Sequence, residues 1–394
     1  MIVTALAALP LAIWVYLIAF RGGFWRTAER DDALAAGCTS AAAPLPAVTA
    51  VIPARNEADV LGGTVGSLLR QTYLGRFSIV VVDDQSADGT AEAAHQAAIA
   101  AGAPDRLTVV RGADRPLGWT GKLWAMRQGL AHVEAQDRPP PFILFTDADI
   151  AYDAPDALER LVRGSLAQNT VLTSLMVKLR CESFAERMLI PAFVFFFQKL
   201  YPFAWVNDPR KKTAAAAGGC MLVRRESLQA AGGLDAIRSA LIDDCALGRL
   251  MKGQGPIWLG LTQRVRSIRA YPRVNDIRGM VARTAYAELR YSPLRLAGAV
   301  AGMALTYLAP PVLAVSAHGP AQALGAAAWA LMTLSFLPML RFYAVTPLWG
   351  LTLPVIAACY AAFTVDSAWQ HWQGRGGAWK GRFQAQAPGS ATGA

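Results

Sequence analysis

The chain has 394 residues, enough for one large domain or two smaller ones. It is 54% hydrophobic and 17% charged, whereas soluble domains are about a quarter charged, so the composition indicates a membrane protein. The net charge of +10 could reflect nucleic-acid binding, but no zinc-finger spacing or RNA-recognition signature is present. Basic residues facing anionic lipid explain the charge more simply. The five cysteines are scattered, which argues against a structural zinc site and predicts reduced thiols.

The chain opens on an apolar, uncharged run over residues 2–20. A helix of this length spans the hydrocarbon core of a bilayer, which is about 30 Å thick. No basic segment precedes the run, which weakens the alternative of a cleaved signal peptide. Three arginines follow it within ten residues, so the positive-inside bias places the amino terminus outside. We therefore predict a transmembrane helix over 1–21 and a linker over 22–47.

Residues 48–270 alternate between strand-like and helix-like segments. Strands are predicted at 48–53, 77–82, 107–111, 142–146, about 171–179, 219–224 and 256–268, and helices at about 58–71, 88–101, 122–135 and 243–252. This alternation is typical of an α/β domain with a mostly parallel sheet and helices on both faces.

The region 297–366 holds about three further apolar stretches, at 297–317, 321–340 and 344–366, each long enough to span a bilayer. The segment 271–296 before them is predicted to be a basic juxtamembrane stretch. The tail over 367–394 is predicted to be disordered. Four spans would put the carboxyl terminus outside, whereas the basic residues of the tail favour the inside, so the sequence leaves its orientation open.

The apolar run that begins at Phe142 ends in two carboxylates, Asp147 and Asp149. Open α/β sheets bind their ligands at the carboxyl ends of such strands. Two acidic side chains in that place are costly unless a cation neutralises them. A hard divalent cation, held by one or two carboxylates and by substrate phosphates, suits the site. We predict a phosphorylated ligand bound through a metal ion.

The first two strands also end in segments suited to a ligand site. Carboxylates there can accept hydrogen bonds from ribose hydroxyls or a base N–H. Asp88 could equally cap a helix, but a cap does not explain two adjacent acids after a buried strand. The absence of Gly-x-Gly-x-x-Gly argues against a Rossmann dinucleotide site. The candidate residues at these strand ends are Pro53, Arg55, Glu57, Asp83 and Asp84.

Two predicted helices begin with charged residues. Lys122 follows a glycine-containing turn, and a cation at a helix start is unfavourable unless an anion is bound, which favours a phosphate partner over an exposed lysine without a role. Asp243 and Asp244 begin another helix, where they either stabilise the first turn or supply a catalytic base. The histidines have no supporting context and are predicted to be structural or exposed; they are His95, His132, His318 and His371.

Three further features could contact an acceptor, the donor or lipid. The aromatic run 192–205 is too short to span and forms either core or an interfacial ledge near a lipid acceptor. Glycines near 218–220 allow either close approach of a ligand or a simple turn. The acceptor candidates are Phe196, Tyr201, Trp205, Gly219 and Cys220. Arginines that could grip a diphosphate, or simply meet lipid headgroups, are Arg264, Arg266, Arg269, Arg273, Arg283 and Arg290.

Taken in order, the motifs Pro-Ala-Arg-Asn-Glu, Val-Asp-Asp-Gln-Ser, Gly-Lys-x-x-Ala, Asp-Ala-Asp and Asp-Asp-x-x-Leu resemble those of family 2 glycosyltransferases with a GT-A fold. The surrounding sequence resembles the narrower group of hopanoid-associated (hopene-associated) glycosyltransferases of bacteria. The resemblance implies that the residues of the first two strand ends hold a nucleoside. Asp149 would coordinate Mg²⁺ or Mn²⁺ and Asp147 would help through ribose or metal. Asp244 matches the catalytic aspartate, and Asp243 stands where the family usually has Glu.

The resemblance further implies an inverting, metal-dependent hexosyltransferase of the bacterial inner membrane, multi-pass, with its catalytic domain in the cytoplasm. The donor would be a nucleoside-diphosphate sugar, with UDP preferred. The acceptor would be a lipid, and the narrower resemblance suggests a hopanoid. A Gln-x-x-Arg-Trp motif is absent, which weakens the alternative of a processive polysaccharide synthase. A non-catalytic membrane scaffold with a nucleotide-binding fold is the other alternative.

Overall fold

The computed structural model describes residues 2–35, 44–377 and 380. Within them the strands are β1 (Val48–Ala54), β2 (Phe77–Asp83), β3 (Leu107–Arg111), β4 (Phe142–Thr146), β5 (Ile150–Tyr152), β6 (Leu172–Lys178), β7 (Cys220–Arg224) and β8 (Ile257–Ser267). The α-helices are α1 (Ile2–Phe20), α2 (Asp31–Ala35), α3 (Ala58–Leu69), α4 (Thr90–Ala100), α5 (Gly121–Glu134), α6 (Ala157–Ala167), α7 (Phe184–Leu200), α8 (Phe203–Asn207), α9 (Arg225–Ala230), α10 (Asp243–Lys252), α11 (Val274–Ala282), α12 (Ala285–Glu288), α13 (Pro293–Met303), α14 (Ala309–Ser316), α15 (Pro320–Phe342) and α16 (Leu353–Trp372). Short 3-10 helices lie at Phe24–Arg26, Pro104–Arg106, Leu234–Ile237 and Pro347–Gly350, and the π-helical Ala304–Leu308 joins α13 to α14.

The described residues divide into two compact units. The sheet unit comprises Glu29–Arg180 and Trp205–Ala270 and contains β1 to β8. The helical unit takes the described parts of Met1–Ala28, Cys181–Ala204 and Tyr271–Ala394. Residues 181–204, which the sequence predicted inside a domain over 48–270, thus belong to the helical unit.

The strands of the sheet unit form one mixed sheet in the order β3-β2-β1-β4-β7-β6-β8-β5. β1 to β4 pair in parallel, and β6 is parallel to β8. β7 is antiparallel to both neighbours and β5 is antiparallel to β8. The sheet is therefore mixed rather than mostly parallel as the sequence predicted. An apolar pattern fixes that a segment is a strand but not its direction, and the three residues of β5 carry too little pattern to be recognised.

The chain reverses its strand order between β1 and β4, because β2 and β3 lie on one side of β1 and β4 on the other. All seven residues of β1 and all five of β4 are buried, as expected for central strands. β1 pairs with β2 as far as Ala54 but with β4 only as far as Val51. Pro53, which has no N–H to donate, lies beyond the β4 pairing. Such a switch point is where open α/β sheets bind ligands.

The helices of the sheet unit bury apolar faces of helical period. In α6, Leu158, Leu161 and Val162 are almost fully buried and follow the i, i+3, i+4 spacing of one helix face. They belong to the same apolar core as Ile52 of β1 and Leu144 of β4. Burying one such side chain contributes about 1.5–3 kcal/mol, so this face fixes α6 to the core.

The helical unit begins its central helix with a reciprocal cap. The Ser183 hydroxyl accepts the Glu186 N–H at 3.1 Å, and the Glu186 carboxylate accepts the Ser183 N–H at 2.8 Å. The same carboxylate accepts the Tyr271 N–H at 2.7 Å, which ties the segment after the sheet unit to the start of α7. Buried Glu186 is therefore a structural anion of the helical unit.

Two helices of the described residues are long and apolar enough to cross a membrane, Pro293–Ser316 and Pro320–Phe342. α1 has 19 residues, and the number of spans stays a prediction. The predicted apolar stretch 344–366 is not one continuous helix. Pro347 starts a 3-10 helix, and Pro354 lies in the first turn of α16. Part of the predicted linker, residues 36–43, and the tail residues 378–379 and 381–394 lie outside the described residues.

Close packing of α5 on the sheet gives a stability prediction. A Cβ at Gly129 would lie 2.5 Å from Val51 Cγ1 and 3.0 Å from Val82 Cγ2. We expect Gly129→Ala to lower the melting temperature, because overpacking costs about 1–3 kcal/mol. The matched control is Gly62→Ala in α3, where the nearest atom is 3.5 Å away and alanine favours the helix. A melting temperature that rises equally in both variants would contradict this packing.

Candidate active site

The loops after β1 and β2 interlock through backbone and side-chain hydrogen bonds. Asn56 and Gln85 both adopt positive φ, at 49° and 58°, so the chain turns sharply as each strand ends. The Arg55 guanidinium donates to the Asp84 carbonyl oxygen at 2.5 Å and lies 3.7 Å from its fully buried carboxylate. The Asp83 carboxylate accepts the Ser86 N–H at 3.0 Å. The predicted nucleoside residues thus lie together at the carboxyl ends of these two strands.

Asp88 connects two helix starts. Its carboxylate accepts the Ala58 N–H at 3.1 Å, at the start of α3, and the Thr90 N–H at 3.1 Å, at the start of α4. The Thr90 hydroxyl donates to the same carboxylate. These contacts favour the capping interpretation of Asp88 over a ligand-binding one.

Lys122 is held by carboxylates from two other elements. Its ammonium lies 2.8 Å from Asp147 Oδ1, just after β4, and 3.0 Å from Asp243 Oδ2, in the first turn of α10. Thr120 caps α5 by accepting the Leu123 N–H, so Lys122 lies in the first helical turn. Burial lowers the pKa of Lys122, but the carboxylates outweigh burial and the net shift is upward. The anions expected near this cation are thus supplied, in this structure, by the chain itself.

Asp244 is a half-buried carboxylate that accepts two backbone hydrogen bonds. Its Oδ2 accepts the Gly218 N–H at 3.0 Å, and its Oδ1 accepts the Cys245 N–H at 2.7 Å. Burial and, after it, the Asp243 carboxylate raise the pKa of Asp244, whereas Lys122 lowers it, and the net result is a pKa of about 6. A carboxylate with this pKa is ionised near neutral pH and is a stronger base than an ordinary aspartate.

Gly218 lies close to both Asp244 and Lys122. A Cβ there would be 3.2 Å from Lys122 Nζ and 3.6 Å from Asp244 Oδ2. The space beside the neighbouring Gly219 is filled by protein, since a Cβ added there would lie 2.8 Å from Val177 Cγ2. The Gly219 carbonyl oxygen accepts a hydrogen bond from the Thr146 hydroxyl at 2.7 Å. Packing thus requires glycine at 219, whereas a side chain at 218 would crowd the Lys122 ammonium and the Asp244 carboxylate.

Arg269 is a site residue that sequence reasoning did not single out. Its Nε lies 2.7 Å from Asp149 Oδ2 and its Nη2 lies 2.5 Å from Glu57 Oε2. Burial lowers the pKa of Arg269, but the two carboxylates raise it to a larger extent. The available signal is the arginine-rich segment that includes the end of β8, and charge alone does not distinguish its members. Arg264 and Arg266, which lie in β8, pair with different aspartates.

The acceptor candidates are dispersed. Cys220 is fully buried in β7, and burial raises the pKa of its thiol to about 12, so its side chain packs in the core rather than facing a ligand. Trp205, in the sheet unit, is half-buried with Lys211 5.9 Å from its ring centroid. In the helical unit, Phe196 packs edge-on against Tyr307 and Tyr360. The Tyr201 hydroxyl donates to the Glu288 carboxylate. A ledge formed by these residues stays a prediction.

A divalent cation at this site would need oxygens of a bound substrate to complete its coordination shell. The described ranges contain no cluster of three or more His, Cys, Asp or Glu arranged to hold a metal. Asp147 and Asp149 remain the carboxylates after β4, and the Asp147 side chain is 36% exposed although Lys122 contacts it. This donor set fits Mg²⁺ or Mn²⁺, which bind through one or two carboxylates together with substrate phosphates.

Residues 46–258, more than half of the chain, match the family model described as "Glycosyltransferase like family 2". The chain belongs to glycosyltransferase family 2. It is 29% identical over 214 residues to a 4,4'-diaponeurosporenoate glycosyltransferase from Staphylococcus aureus strain USA300, and the match covers 53% of this chain and 52% of that protein. The chain thus spans about half the length of the curated relatives it matches.

The fold is similar to that of a mannosyltransferase from Pyrobaculum calidifontis, solved in complex with GDP-Man and Mn²⁺. The TM-score is 0.51 at 20% identity, covering 92% of this chain and 98% of that chain. At this identity the likeness extends to the GT-A fold alone. A glucosyl-3-phosphoglycerate synthase from Mycobacterium tuberculosis, with Mn²⁺ and UDP-glucose, has a TM-score of 0.39 at 19% identity over 65% of this chain and 82% of that chain.

The Lys122 cluster gives a pH-dependent stability prediction. The pKa values of Asp147 and Asp244 already lie above their ordinary values, and in Lys122→Met they rise further in the folded protein because the ammonium that lowers them is lost. The folded state then binds more protons than the unfolded state, so stability falls as pH rises. We expect the deficit in melting temperature relative to the unaltered protein to be larger at pH 8 than at pH 5.

The matched control is Lys252→Met. The Lys252 ammonium donates to the carbonyl oxygens of Val206 and Asp208, which do not titrate. Its loss should lower the melting temperature by similar amounts at both pH values. A deficit for Lys122→Met that is equal at pH 5 and pH 8 would contradict the charge balance described here.

Proposed function

We propose that the protein is a membrane-bound inverting glycosyltransferase that moves a sugar from a nucleoside-diphosphate sugar to a lipid. The observation that carries this proposal is the position of Asp244, which has the raised pKa of a base and lies near Lys122, whose ammonium contacts Asp147. A base close to the carboxylates that follow β4 is the arrangement needed to activate an acceptor next to a bound diphosphate.

The donor nucleoside is proposed to bind at the carboxyl ends of β1 and β2. Arg55, Glu57, Asp83 and Asp84 converge there beside the switch point of the sheet, and Pro53 lies beyond the last residue pair of β1 with β4. Carboxylates at this place can accept hydrogen bonds from ribose hydroxyls and from base N–H groups. UDP is proposed as the nucleotide, on the family resemblance alone.

Asp147 and Asp149 are proposed to hold Mg²⁺ or Mn²⁺ together with the donor. Such a cation, when bound, neutralises the charge that develops on the departing diphosphate. The donor set of two carboxylates fits a cation that takes its remaining ligands from phosphates and water. The Pyrobaculum relative was solved with Mn²⁺ and GDP-Man, which supports the same class of ligands here.

Asp244 is proposed to accept the proton of the acceptor hydroxyl. As the hydroxyl oxygen forms its bond to the anomeric carbon, the bond from that carbon to the diphosphate oxygen breaks and the electron pair leaves with the nucleoside diphosphate. Attack from the face opposite the leaving group inverts the anomeric centre. The Gly218 and Cys245 N–H groups orient the carboxylate, and Asp243 raises its basicity.

A lipid acceptor and a membrane location are proposed together. The Staphylococcus relative is named for 4,4'-diaponeurosporenoate, a lipid-like carotenoid acid. In the helical unit, large apolar side chains are exposed on several helices, among them Leu6, Phe20, Val315 and Val355. Together with the two helices that could cross a membrane, they favour a multi-pass protein of the bacterial inner membrane whose sheet unit faces the cytoplasm. A hopanoid acceptor is proposed on the narrower resemblance.

The proposed base gives a kinetic prediction. Transfer by the unaltered protein should rise with pH through about 6, because Asp244 must lose its proton to act. Asp244→Asn should lower the transfer rate by about 10²–10⁴-fold and remove this rise, since general bases typically contribute that much. Binding of nucleoside diphosphate should be retained.

The matched control is Asp235→Asn, which neutralises an exposed carboxylate whose ion-pair partner is Arg127 rather than Lys122. This variant should keep the rate and the pH profile of the unaltered protein. Transfer by Asp244→Asn at the unaltered rate would remove Asp244 from the base role.

Turnover by the purified full chain in detergent tests the proposed function as a whole. A panel of UDP- and GDP-sugars would be offered with Mg²⁺ or Mn²⁺, with and without bacterial lipid extract. We expect metal-dependent release of nucleoside diphosphate together with one new glycolipid, and loss of release on chelation. A long polymer in place of a glycolipid would favour a processive synthase, and failure to bind or turn over any donor would favour a non-catalytic scaffold.

A further inference from the structure

Arg269 forms an ion pair with Asp149, a carboxylate that is proposed to bind the cation. Its Nε lies 2.7 Å from Asp149 Oδ2, and the Ser267 hydroxyl lies 3.4 Å from the same oxygen. The second arm of the guanidinium is held by Glu57, 2.5 Å away. The Asp149 and Glu57 side chains are 13% and 9% exposed, so this ion pair is largely shielded from water.

The other arginines of the same segment are not placed in this way. Arg264 pairs with Asp32 and Arg266 pairs with Asp153, both outside the candidate site. Arg273 pairs with Asp276 in the first turn of α11. Among the described arginines from 264 to 273, Arg269 is therefore the one that joins Glu57, at the end of β1, to Asp149, after β4.

A guanidinium and a divalent cation cannot share one carboxylate oxygen at close range, because like charges repel and both need its lone pairs. A planar guanidinium is also well matched to phosphate oxygens, which it binds through two parallel hydrogen bonds. The arm on Glu57 keeps Arg269 at the proposed donor site even when its bond to Asp149 is broken. The same side chain can thus serve two anions in turn.

We propose that Arg269 is an exchangeable counter-ion of the donor site. In the donor-free protein it neutralises Asp149; when the cation and nucleoside diphosphate bind, it leaves Asp149, keeps Glu57 and binds the diphosphate. This inference rests on the proposed function. It makes Arg269 a competitor of the cation and a ligand of the nucleotide, two roles with opposite consequences on removal.

The test measures Mn²⁺ binding and UDP binding separately in the full chain in detergent, by calorimetry, without turnover. In Arg269→Gln, Mn²⁺ alone should bind about tenfold more tightly, because its competitor is lost, whereas UDP at saturating Mn²⁺ should bind about tenfold more weakly. Arg269→Lys keeps the charge but not the fork, so we expect smaller changes in the same directions. It also serves if Arg269→Gln does not fold.

The matched control is Arg266→Gln, which removes the same charge three residues earlier from a pair with Asp153 and should leave both affinities within twofold. Asp149→Ala should abolish Mn²⁺ binding. Unchanged Mn²⁺ affinity in both Arg269 variants, or weakened Mn²⁺ affinity, would overturn the inference while the proposed function stands. An unaltered protein that binds neither Mn²⁺ nor any nucleoside diphosphate would overturn both.

Discussion

The acidic end of the sheet can exist because one ammonium group compensates several carboxylates that the fold brings together. β4 delivers Asp147, the first turn of α10 delivers Asp243 and Asp244, and α5 places Lys122 among them. Without this cation the carboxylates would repel one another in a partly desolvated place, and some would protonate. Burial raises the pKa of Asp244 and Lys122 lowers it, to a net value of about 6, so this carboxylate is ionised near neutral pH yet more basic than an ordinary aspartate. A single interaction thus underlies both the stability and the proposed chemistry of the site.

Much of this end of the sheet could be predicted from the sequence because its signals are local. An apolar run followed by acids predicts a buried strand with a polar end, and β1, β2 and β4 were recognised within a residue or two for this reason. Helix α10 begins at Asp243 and ends at Lys252 as predicted, because acids in the first turn and bases in the last mark its ends. Because β1, β2 and β4 are parallel, their carboxyl ends lie at the same edge of the sheet.

What could not be predicted depends on pairings between distant segments. No local pattern distinguishes Arg269 from Arg266, and only the pairing of β5 with β8 brings the end of β8 beside Asp149. Cys220 follows two glycines that are compatible with close approach of a ligand, yet antiparallel pairing of β7 with β4 and β6 buries its side chain. For Lys122 the sequence predicts an anionic partner but does not identify it. The predicted partner is a phosphate, whereas in the structure the Asp147 and Asp243 carboxylates contact the ammonium.

The two cations of the site differ in a way that matches the two halves of the proposed reaction. An ammonium is compact and can be approached from several directions, so Lys122 suits carboxylates that arrive from different elements and fixes them near the base. A guanidinium is flat and two-armed, so Arg269 can give up Asp149 while Glu57 retains it. A site built this way would hold the proposed base in place while the proposed donor half exchanges charge with each ligand that binds.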